Sequence, residues 1–417
     1  MSALSFLVML TIGTDTFVVA PLLPTLTNAY GNDPAVAGWM VSAYAVGYAV
    51  FALLAGPISD RLDRRTVLVC GLVAFAALTA ACALAPSFRC MVTLRFAAGV
   101  AAAFVTPQIW ASIPVLVPPN RILRTMGYAT AGLSIAQMVG VPIGSFLAAW
   151  TWHAPFLVIG AFALGVAGVA RVLLPTMPAP GGSSRTARTG TYATLLKAPT
   201  APSLFLGYLL FQTGNFTSFS FIGTWLTTGF GLSVAQIGAA VVPLGAANAV
   251  GSLFGSRLAD TLGPENSRRL AIGALVALYA VLPFAPSLAV AVALLSAIFL
   301  IGGFVFPVFM VTMQGLTTTA RGTVSALTNS TMYVGTTVGG VIGGFLITRF
   351  PGYHGISVVV IGLLALSLAC FRNADRAASR TAEGNAPADE GVRGCVAAAR
   401  GLAGGKQASG CPAGPGR

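Results

Sequence analysis

The sequence predicts an all-α membrane protein in which twelve transmembrane helices form two six-helix halves. The first observation behind this prediction is composition. Apolar residues make up 56% of the chain and charged residues only 8%, whereas a soluble domain carries about 25% charged residues. The second is that the apolar residues fall into twelve runs, each near the ~20 residues that a helix needs to cross a bilayer. No run alternates like a barrel strand, which leaves a helical bundle as the predicted architecture.

The predicted spans lie on either side of a polar linker. Those of the first half are 4–27, 35–55, 66–86, 90–117, 126–149 and 154–174. Those of the second half are 203–228, 234–256, 269–286, 288–313, 323–347 and 353–371. The connection between the halves is rich in Pro, Gly, Ser and Thr, and one stretch of it, 192–197, has the composition of a short amphipathic helix. The expected organisation is a six-helix half over 1–175, a cytoplasmic linker over 176–202, a second half over 203–371 and a disordered tail over 372–417.

The positions of Lys and Arg predict that both termini are cytoplasmic. Of the 23 basic residues, 20 follow an even-numbered span or lie in the tail, and the others are Arg89, Arg95 and Arg349. Because basic loops stay on the inner side, this pattern predicts a multi-pass protein of the cytoplasmic membrane. The net charge of +13 is therefore a topology signal, and nucleic acid is not expected as a partner. The first span is too long for a cleavable signal peptide, which predicts a retained helix.

The sequence indicates neither a metal site nor a catalytic centre. None of the six cysteines has metal-ligand spacing, and both histidines are expected near the outer face. There is no Gly-rich loop with a Lys that would bind ATP phosphates. We therefore expect a monomer that is not an enzyme, uses no cofactor, and handles a small molecule and protons within the lipid bilayer.

Asp15 is the carboxylate that lies inside a predicted span, near the middle of the first one. An ionisable group at that depth costs ~2.5–3.5 kcal/mol on insertion scales, and burial favours the protonated form of a carboxyl group. Both properties suit a group that binds and releases a proton during transport. The alternative is an acid close enough to the helix end to reach the headgroups.

The two halves repeat features at matching positions. Asp60 follows span 2 and Asp260 follows span 8, and each stands two residues before a Leu. Spans 5 and 11 carry small residues four positions apart, which are Gly132, Ala136, Gly140 and Gly144 in one and Gly335, Gly339 and Gly343 in the other. Small residues at this spacing line one helical face and let another helix approach closely. The stripe could serve packing alone, but its repetition in matching spans indicates an architectural role.

The segment after span 2 resembles a signature of the major facilitator superfamily, G-x-L-a-D-r-x-G-r-[RK]. The segment reads Gly56-Pro-Ile-Ser-Asp60-Arg61-Leu-Asp63-Arg64-Arg65, with Asp63 where the family has its second Gly. The resemblance implies the major facilitator fold, with the substrate site between the two halves near the midplane. It also implies that Asp60 anchors an inner gate at the N-terminus of span 11, where an anion is favoured, and that Asp260 holds the matching place. The alternative for this segment is a solvated charged loop.

Two further motifs resemble the proton-coupled exporters of that superfamily, and the resemblance covers residues 1–371. Span 4 contains Arg95-Phe-Ala-Ala-Gly99, similar to the R-x-x-Q-G motif linked to proton transfer, although Arg95 could instead extend to the outer headgroups. Span 5 contains Gly140-Val-Pro142-Ile-Gly144. This form is similar to the antiporter signature as found in the arabinose-efflux and drug-exporter branch.

Candidate substrate contacts are the polar and aromatic residues within the spans, because polar groups in a bilayer should face protein or a water-filled cavity. They are Tyr44, Tyr48, Gln108, Gln137, Gln212, Asn215, Phe219, Asn248, Asn329 and Tyr333. Each aromatic ring could instead face lipid or pack in the core, and each amide could form an interhelical hydrogen bond.

These observations predict a proton-coupled antiporter that exports small amphipathic compounds, such as drug-like molecules or metabolites, and so confers drug resistance. In the predicted cycle, Asp15 is deprotonated while substrate is bound and protonated while the carrier resets. A sugar efflux permease and a proton-coupled uptake symporter are alternatives on the same fold, and the antiporter-like span 5 favours export. A non-transporting membrane scaffold is the alternative of a different class, and it would leave Asp15 and the gate motif unexplained.

Overall fold

A computed structural model describes residues 1–31, 39–177, 191–198, 200–232, 234–350 and 352–384 of the chain. Within these ranges every regular element is a helix. This follows from the sequence, because an apolar segment in lipid has to satisfy its backbone N–H and C=O groups internally, and a helix does so.

The described part of the first half consists of long helices joined by short turns. They are α1 (Ser2–Tyr30), α2 (Trp39–Ser59), α3 (Arg64–Cys82), α4 (Phe88–Ala103), α5 (Thr106–Leu116), α6 (Ile122–Trp150) and α7 (Ala154–Leu173). The predicted fourth span is divided between α4 and α5. The break falls just before Pro107, which lies in the first turn of α5. A proline ring clashes with the carbonyl four residues earlier and so interrupts a continuous helix.

The second half repeats this pattern after a short connecting helix, α8 (Thr191–Leu196). Its helices are α9 (Ala201–Phe219), α10 (Ile222–Phe230), α11 (Val234–Val281), α12 (Leu288–Gln314), α13 (Arg321–Arg349) and α14 (His354–Gly384). α9 and α10 share the predicted seventh span, and α11 covers the predicted eighth and ninth. The chain bends within α11 at Gly263, where φ is 75° and ψ is 161°, a conformation essentially confined to glycine.

The end of the last helix differs from the sequence prediction. The tail was predicted to be disordered from residue 372, yet α14 continues to Gly384. Ala374 and Asp375, just beyond the predicted end of the span, are buried, and an ion pair described below holds Asp375 there. Residues 385–417, and residues 178–190 of the predicted linker, lie outside the described part of the chain.

The count of twelve membrane crossings remains a prediction. Among the described residues, nine helical segments are long and apolar enough to cross a membrane. One of these, Gln236–Phe284, extends over two predicted spans.

Matching serines begin matching helices in the two halves. Ser87 Oγ accepts a hydrogen bond from the Cys90 N–H at 3.3 Å at the start of α4, and Ser287 Oγ accepts one from the Val290 N–H at 3.4 Å at the start of α12. Each serine follows an Ala-Pro pair and has an extended backbone. A serine in this position satisfies one of the free N–H groups of the first helical turn. This repeated cap was not among the features predicted from the sequence.

Close packing between helices also repeats. Gly99 of α4 lies against the carbonyl group of Tyr44 on α2, and Gly303 of α12 lies against the carbonyl group of Asn248 on α11. Neither site has room for a Cβ atom. Spans 2 and 4 therefore approach each other as closely as spans 8 and 10, because glycine lets two helix backbones touch.

The small-residue stripes of α6 and α13 pack against the first long helix of their own half. Gly132 lies against the Phe6 carbonyl group on α1, and Gly339 lies against α9 at Thr213. The stripes therefore hold each half together. The surroundings of Gly140 and Gly144, which continue the stripe of α6, lie outside what the structure describes.

The two halves meet along two seams. One is formed by α2 and α13, where Gly56 lies against Thr323, and the other by α6 and α11, where Gly127 lies against the carbonyl group of Ser252. A central cavity lies between these seams.

Candidate functional site

Asp15 and Arg95 form a fully buried ion pair between α1 and α4. Nη1 of Arg95 lies 2.9 Å from Oδ1 and 2.8 Å from Oδ2 of Asp15. Asp15 is 0% exposed and Arg95 is 1% exposed, so neither side chain extends to the headgroups. Removing one partner of a buried ion pair typically costs ~3–5 kcal/mol, because the other charge is left uncompensated. Each side chain therefore compensates the buried charge of the other.

α2 completes the surroundings of the Arg95 guanidinium. Nε of Arg95 donates to the Met40 carbonyl oxygen at 3.4 Å, and the guanidinium lies 4.5 Å from the centroid of the Tyr44 ring. A cation over an aromatic face is attracted by the ring quadrupole. Three helices, α1, α2 and α4, therefore meet at the ion pair, and Tyr44 is one of the side chains that contact it.

Asp60 links the two halves at the end of the bundle where α2 finishes. Its carboxylate accepts hydrogen bonds from the backbone N–H groups of Gly322 and Thr323, each at 2.8 Å, and from the Thr323 hydroxyl at 2.8 Å. Ala320, at the N-cap position of α13, has no side chain able to cap the helix. Asp60 from the other half therefore supplies the cap, and an anion is favoured at a helix N-terminus.

Arg64 and Gly56 shape the surroundings of Asp60. Nη2 of Arg64 lies 2.9 Å from Oδ1 of Asp60, and Nη1 donates to the Ala111 carbonyl oxygen on α5 at 3.2 Å. Gly56 lies so close to Thr323 that a side chain would push α13 away. Among the other motif residues, Arg61 is exposed, and Arg65 donates to the carbonyl group of Arg171 at the end of α7.

Asp63 fastens the start of the predicted linker to this loop. It accepts hydrogen bonds from the Thr66 N–H at 3.2 Å and from the Met177 N–H at 2.6 Å. Burial acts to raise the pKa of the Asp63 carboxyl group, but the hydrogen bonds from Thr66 and Met177 outweigh burial and lower the pKa below its ordinary value. The residue that replaces the family's glycine is therefore both the cap of α3 and a contact to the linker.

Asp260 lies in different surroundings from Asp60. It is exposed, and it lines a cavity of about 240 Å³ together with Ile122 and Leu123 at the start of α6. No described residue forms an ion pair or hydrogen bond with its carboxylate. The repeat thus places each acid near the beginning of a helix in the opposite half, but only Asp60 contacts that helix.

The central cavity has a volume of about 120 Å³ and is lined by both halves. Five of the predicted substrate contacts line it, namely Gln137, Gln212, Asn215, Phe219 and Asn248. The remaining wall includes five further aromatic side chains, which are Phe17, Phe211, Phe216, Phe299 and Phe306. Phe17 lies two residues after Asp15 on α1, so the ion pair and the cavity share a helix.

Two amides in the cavity wall differ in their partners. Asn248 is held by the Ser134 hydroxyl across the seam and donates from Nδ2 to the Phe299 carbonyl oxygen at 3.0 Å. The Oε1 atom of Gln212 is buried and has no hydrogen-bond partner among the described residues. Gln212 can therefore accept a hydrogen bond from a molecule in the cavity.

The other five predicted substrate contacts do not line the cavity. They are Tyr44, Tyr48, Gln108, Asn329 and Tyr333. The Tyr48 hydroxyl donates to Oδ1 of Asn329 at 3.2 Å, and its ring lies 4.4 Å from that of Tyr333. Gln108 accepts a hydrogen bond from the Ser59 hydroxyl at the end of α2. Tyr48, Asn329 and Tyr333 contact one another, whereas Nε2 of Gln108 and the Tyr44 hydroxyl have no hydrogen-bond partner among the described residues. The role of these five residues as substrate contacts stays a prediction.

The predicted antiporter helix is α6. Gly132 and Ala136 face α1, where Ala136 lies against Gly13. Gly140, Pro142 and Gly144 fall within the bounds of the helix, but the surroundings of their side chains lie outside the described residues.

Comparison with known proteins decides the family. The profile described as the Major Facilitator Superfamily matches residues 5–339. The chain belongs to the major facilitator superfamily. It is therefore a multi-pass membrane transporter of small molecules and not an enzyme.

Relatives within the superfamily include proteins named for drug resistance. The chain is 46% identical over 377 residues to "Uncharacterized MFS-type transporter YceJ" of Bacillus subtilis (strain 168), which covers 90% of this chain and 97% of that protein. It is 31% identical over 255 residues to a "Chloramphenicol resistance protein" of Streptomyces lividans, which covers 60% of this chain and 64% of that protein.

A solved superfamily structure has the same fold. The human organic anion transporter MFSD10 (TETRAN) matches with a TM-score of 0.74 at 20% identity, over 89% of this chain and 98% of that chain. At this identity the similarity concerns the fold alone.

Asp375 of α14 is a charged residue with a structural role that the sequence motifs of the superfamily did not predict. Its Oδ1 lies 2.6 Å from Nη2 of Arg268, and its Oδ2 lies 3.0 Å from Nη2 of Arg269. Nη1 of Arg268 donates to the Thr312 hydroxyl at 2.6 Å. This network joins α11, α12 and α14. Two features of the sequence could have indicated this network. One is an acid one helical turn beyond the predicted end of the last span, and the other is a pair of arginines at the start of span 9.

Proposed function

We propose that the protein is a proton-coupled antiporter that exports small amphipathic compounds across the cytoplasmic membrane, with both termini cytoplasmic. The observation that carries the proposal is the buried pair of Asp15 and Arg95, because Asp15 lies on α1 and the same helix contributes Phe17 to the wall of the central cavity. A membrane protein without a titration role gains little from placing a carboxylate and a guanidinium at this depth, because desolvating both charges is unfavourable.

Protonation of Asp15 is the step that would change the conformation. A proton on the carboxyl group removes the charge that balances Arg95, and an unbalanced buried guanidinium is unfavourable. Arg95 must then move relative to the Met40 carbonyl group and the Tyr44 ring. Because Asp15 and Phe17 lie on the same helix, this movement alters the cavity wall. Proton binding and substrate binding then favour different conformations, which is the condition for antiport.

The contacts of Asp60 would hold the conformation in which the two halves are joined at the cytoplasmic end. Asp60 caps α13 across the seam, and Arg64 fixes the carboxylate from its own side. Opening this end requires the loss of at least three hydrogen bonds to a charged group, each worth about 1.5–3 kcal/mol. Substrate entry from the cytoplasm therefore depends on breaking this contact.

The cavity favours uncharged or weakly charged amphipathic compounds. Its described lining combines phenylalanine rings with amide groups and contains no charged side chain. Its volume of about 120 Å³ is below the ~300–1,000 Å³ typical of ligand pockets, so a loaded state needs the phenylalanine side chains to turn outward. The 31% identity to a chloramphenicol resistance protein makes chloramphenicol, an uncharged aromatic compound, the first compound to test.

The test is compound accumulation in cells that express the protein, with an empty vector as the reference. Radiolabelled chloramphenicol and a panel of amphipathic dyes and sugars are measured with and without an uncoupler. The proposal expects lower accumulation of at least one compound, restored to the reference level by the uncoupler. Higher accumulation would indicate an uptake symporter, and unchanged accumulation of every compound at normal membrane abundance would indicate a scaffold; either result contradicts export.

A further inference from the structure

A further cavity, larger than the central one, lies where α1 and α6 begin, on the predicted cytoplasmic side. Its volume is about 590 Å³. Arg121, the residue just before α6, and Arg124 and Tyr128 of α6 line it on one side, while α1 contributes Phe6 and α11 of the other half contributes Leu253. The cavity therefore crosses the seam between the two halves. On α6 its lining at Tyr128 lies two residues from Thr130, which lines the central cavity.

The charged part of this cavity is entirely basic. Arg121 and Arg124 are both exposed, and the described lining contains no acidic residue. Nη2 of Arg124 lies 3.3 Å from the Tyr128 hydroxyl oxygen. Neither arginine forms an ion pair with a described residue. Two guanidinium groups, one just before α6 and one in its first turn, thus face a cavity without a counter-charge in the described lining.

The rest of the lining is apolar. Phe6 and Leu253 form walls on opposite halves of the protein. On α11, the neighbouring Val250 and Phe254 are 47% and 58% exposed, which is the exposure expected of side chains that face lipid. The cavity therefore combines a basic rim at the membrane boundary with apolar walls that extend toward the bilayer interior.

We propose that this cavity binds one anionic phospholipid, with its phosphate on Arg121 and Arg124 and one acyl chain against Phe6 and Leu253. Arginine donates several hydrogen bonds to a phosphate in a fixed geometry, and anionic lipids are attracted to basic residues at the cytoplasmic surface. A free inorganic anion would use the arginines but leave the apolar walls in water, so the shape and chemistry favour the lipid. This site goes beyond the transport proposed above, and its lipid would stabilise the seam between α6 and α11.

The experiment is native mass spectrometry of the full-length protein in detergent, titrated with phosphatidylglycerol. Phosphatidylethanolamine serves as the zwitterionic comparison. The double variant Arg121→Gln/Arg124→Gln is expected to bind phosphatidylglycerol about 30-fold more weakly, from the contribution of two basic residues near an anionic headgroup. The control is Arg372→Gln/Arg376→Gln, which removes two exposed arginines of α14 and is expected to bind like the unmodified protein.

Two further measurements separate a lipid from a free anion. Leu253→Ala is expected to weaken phosphatidylglycerol binding, and millimolar inorganic phosphate is expected not to displace the lipid. Equal binding by the two double variants would overturn the proposal. Displacement by phosphate together with an unchanged affinity in Leu253→Ala would also overturn it, because the cavity would then be a site for small anions.

Discussion

Two similar acids, Asp60 and Asp260, have different surroundings although they occupy matching positions in the two halves. Asp60 caps α13 and contacts Arg64, while Asp260 is exposed beside the start of α6. We expect Asp60→Asn to reduce the transport rate by about 10-fold or more, since hydrogen bonds to a charged group contribute about 1.5–3 kcal/mol each. Asp260→Asn is expected to remain within about twofold of the unmodified protein, because few contacts are lost. Initial rates in membrane vesicles, at equal protein abundance, test this asymmetry, and equal losses would refute it.

Asp63 provides a prediction on the pH dependence of stability. Its pKa in the folded protein is lowered, so its contribution to stability is present above the unfolded value of about 3.9 and is lost as the pH falls through the folded value. Asp63→Ala removes the cap of α3 and should cost about 1 kcal/mol at pH 7. The difference in thermal unfolding between variant and unmodified protein should shrink below about pH 4. A difference that is constant from pH 7 to pH 3 would show that the carboxylate is not the stabilising group.

At the scale of helices, the small-residue stripe of α6 determines how closely α1 can approach. Gly132 faces the Phe6 carbonyl group without room for a Cβ atom, whereas a Cβ on Gly168 of α7 would meet open space. Gly132→Leu should therefore lower stability by about 1–3 kcal/mol through overpacking and abolish transport, while insertion into the membrane persists because hydrophobicity rises. Gly168→Leu is the matched control and should behave normally. If both variants transport at the normal rate, the stripe does not control the packing of α1.

The extension of α14 predicts where the chain tolerates truncation. A chain that ends after Phe371 lacks Asp375 and leaves Arg268, which is 2% exposed, without its acid. Such an unpaired buried charge costs ~3–5 kcal/mol, so this truncation should lower the thermal unfolding temperature strongly. A chain that ends after Gly384 keeps the network and should unfold like the full chain. Equal unfolding temperatures for the two truncations would show that the Asp375 network adds no stability.

For the molecule as a whole, the sequence predicted the features that follow from burial of the chain in a lipid bilayer. Long apolar runs required helices, and the repeat of Asp60 and the small-residue stripes indicated two related halves. The helix break at Phe104–Val105 was not predicted, because a break inside an apolar run leaves its composition unchanged. The break at Gly263, in contrast, falls in the polar connection predicted between spans 8 and 9. Asp375 was missed for a similar reason, since an acid beyond the end of a span resembles a solvated tail until its partner on another helix is known.

The candidate site was only partly predictable, because chain position does not tell which face of a helix meets the cavity. Gln212 and Asn248 line the cavity, whereas Tyr48 and Asn329 lie in the seam between α2 and α13. All four are polar or aromatic residues of apolar helices, and only the packing of the halves separates them. The pairing of Asp15 with Arg95 likewise needed the arrangement of α1 against α4.

The central claim is that Asp15 carries the proton that is exchanged for substrate. The most direct measurement is proton release from purified protein in weakly buffered detergent when a compound exported by the unmodified protein is added. We expect proton release from the unmodified protein and from Asp260→Asn, and none from Asp15→Asn, because the amide cannot titrate. The measurement is made at a temperature at which thermal unfolding shows that all three proteins are folded. Undiminished, compound-dependent proton release by Asp15→Asn would contradict the claim and assign the proton to another group.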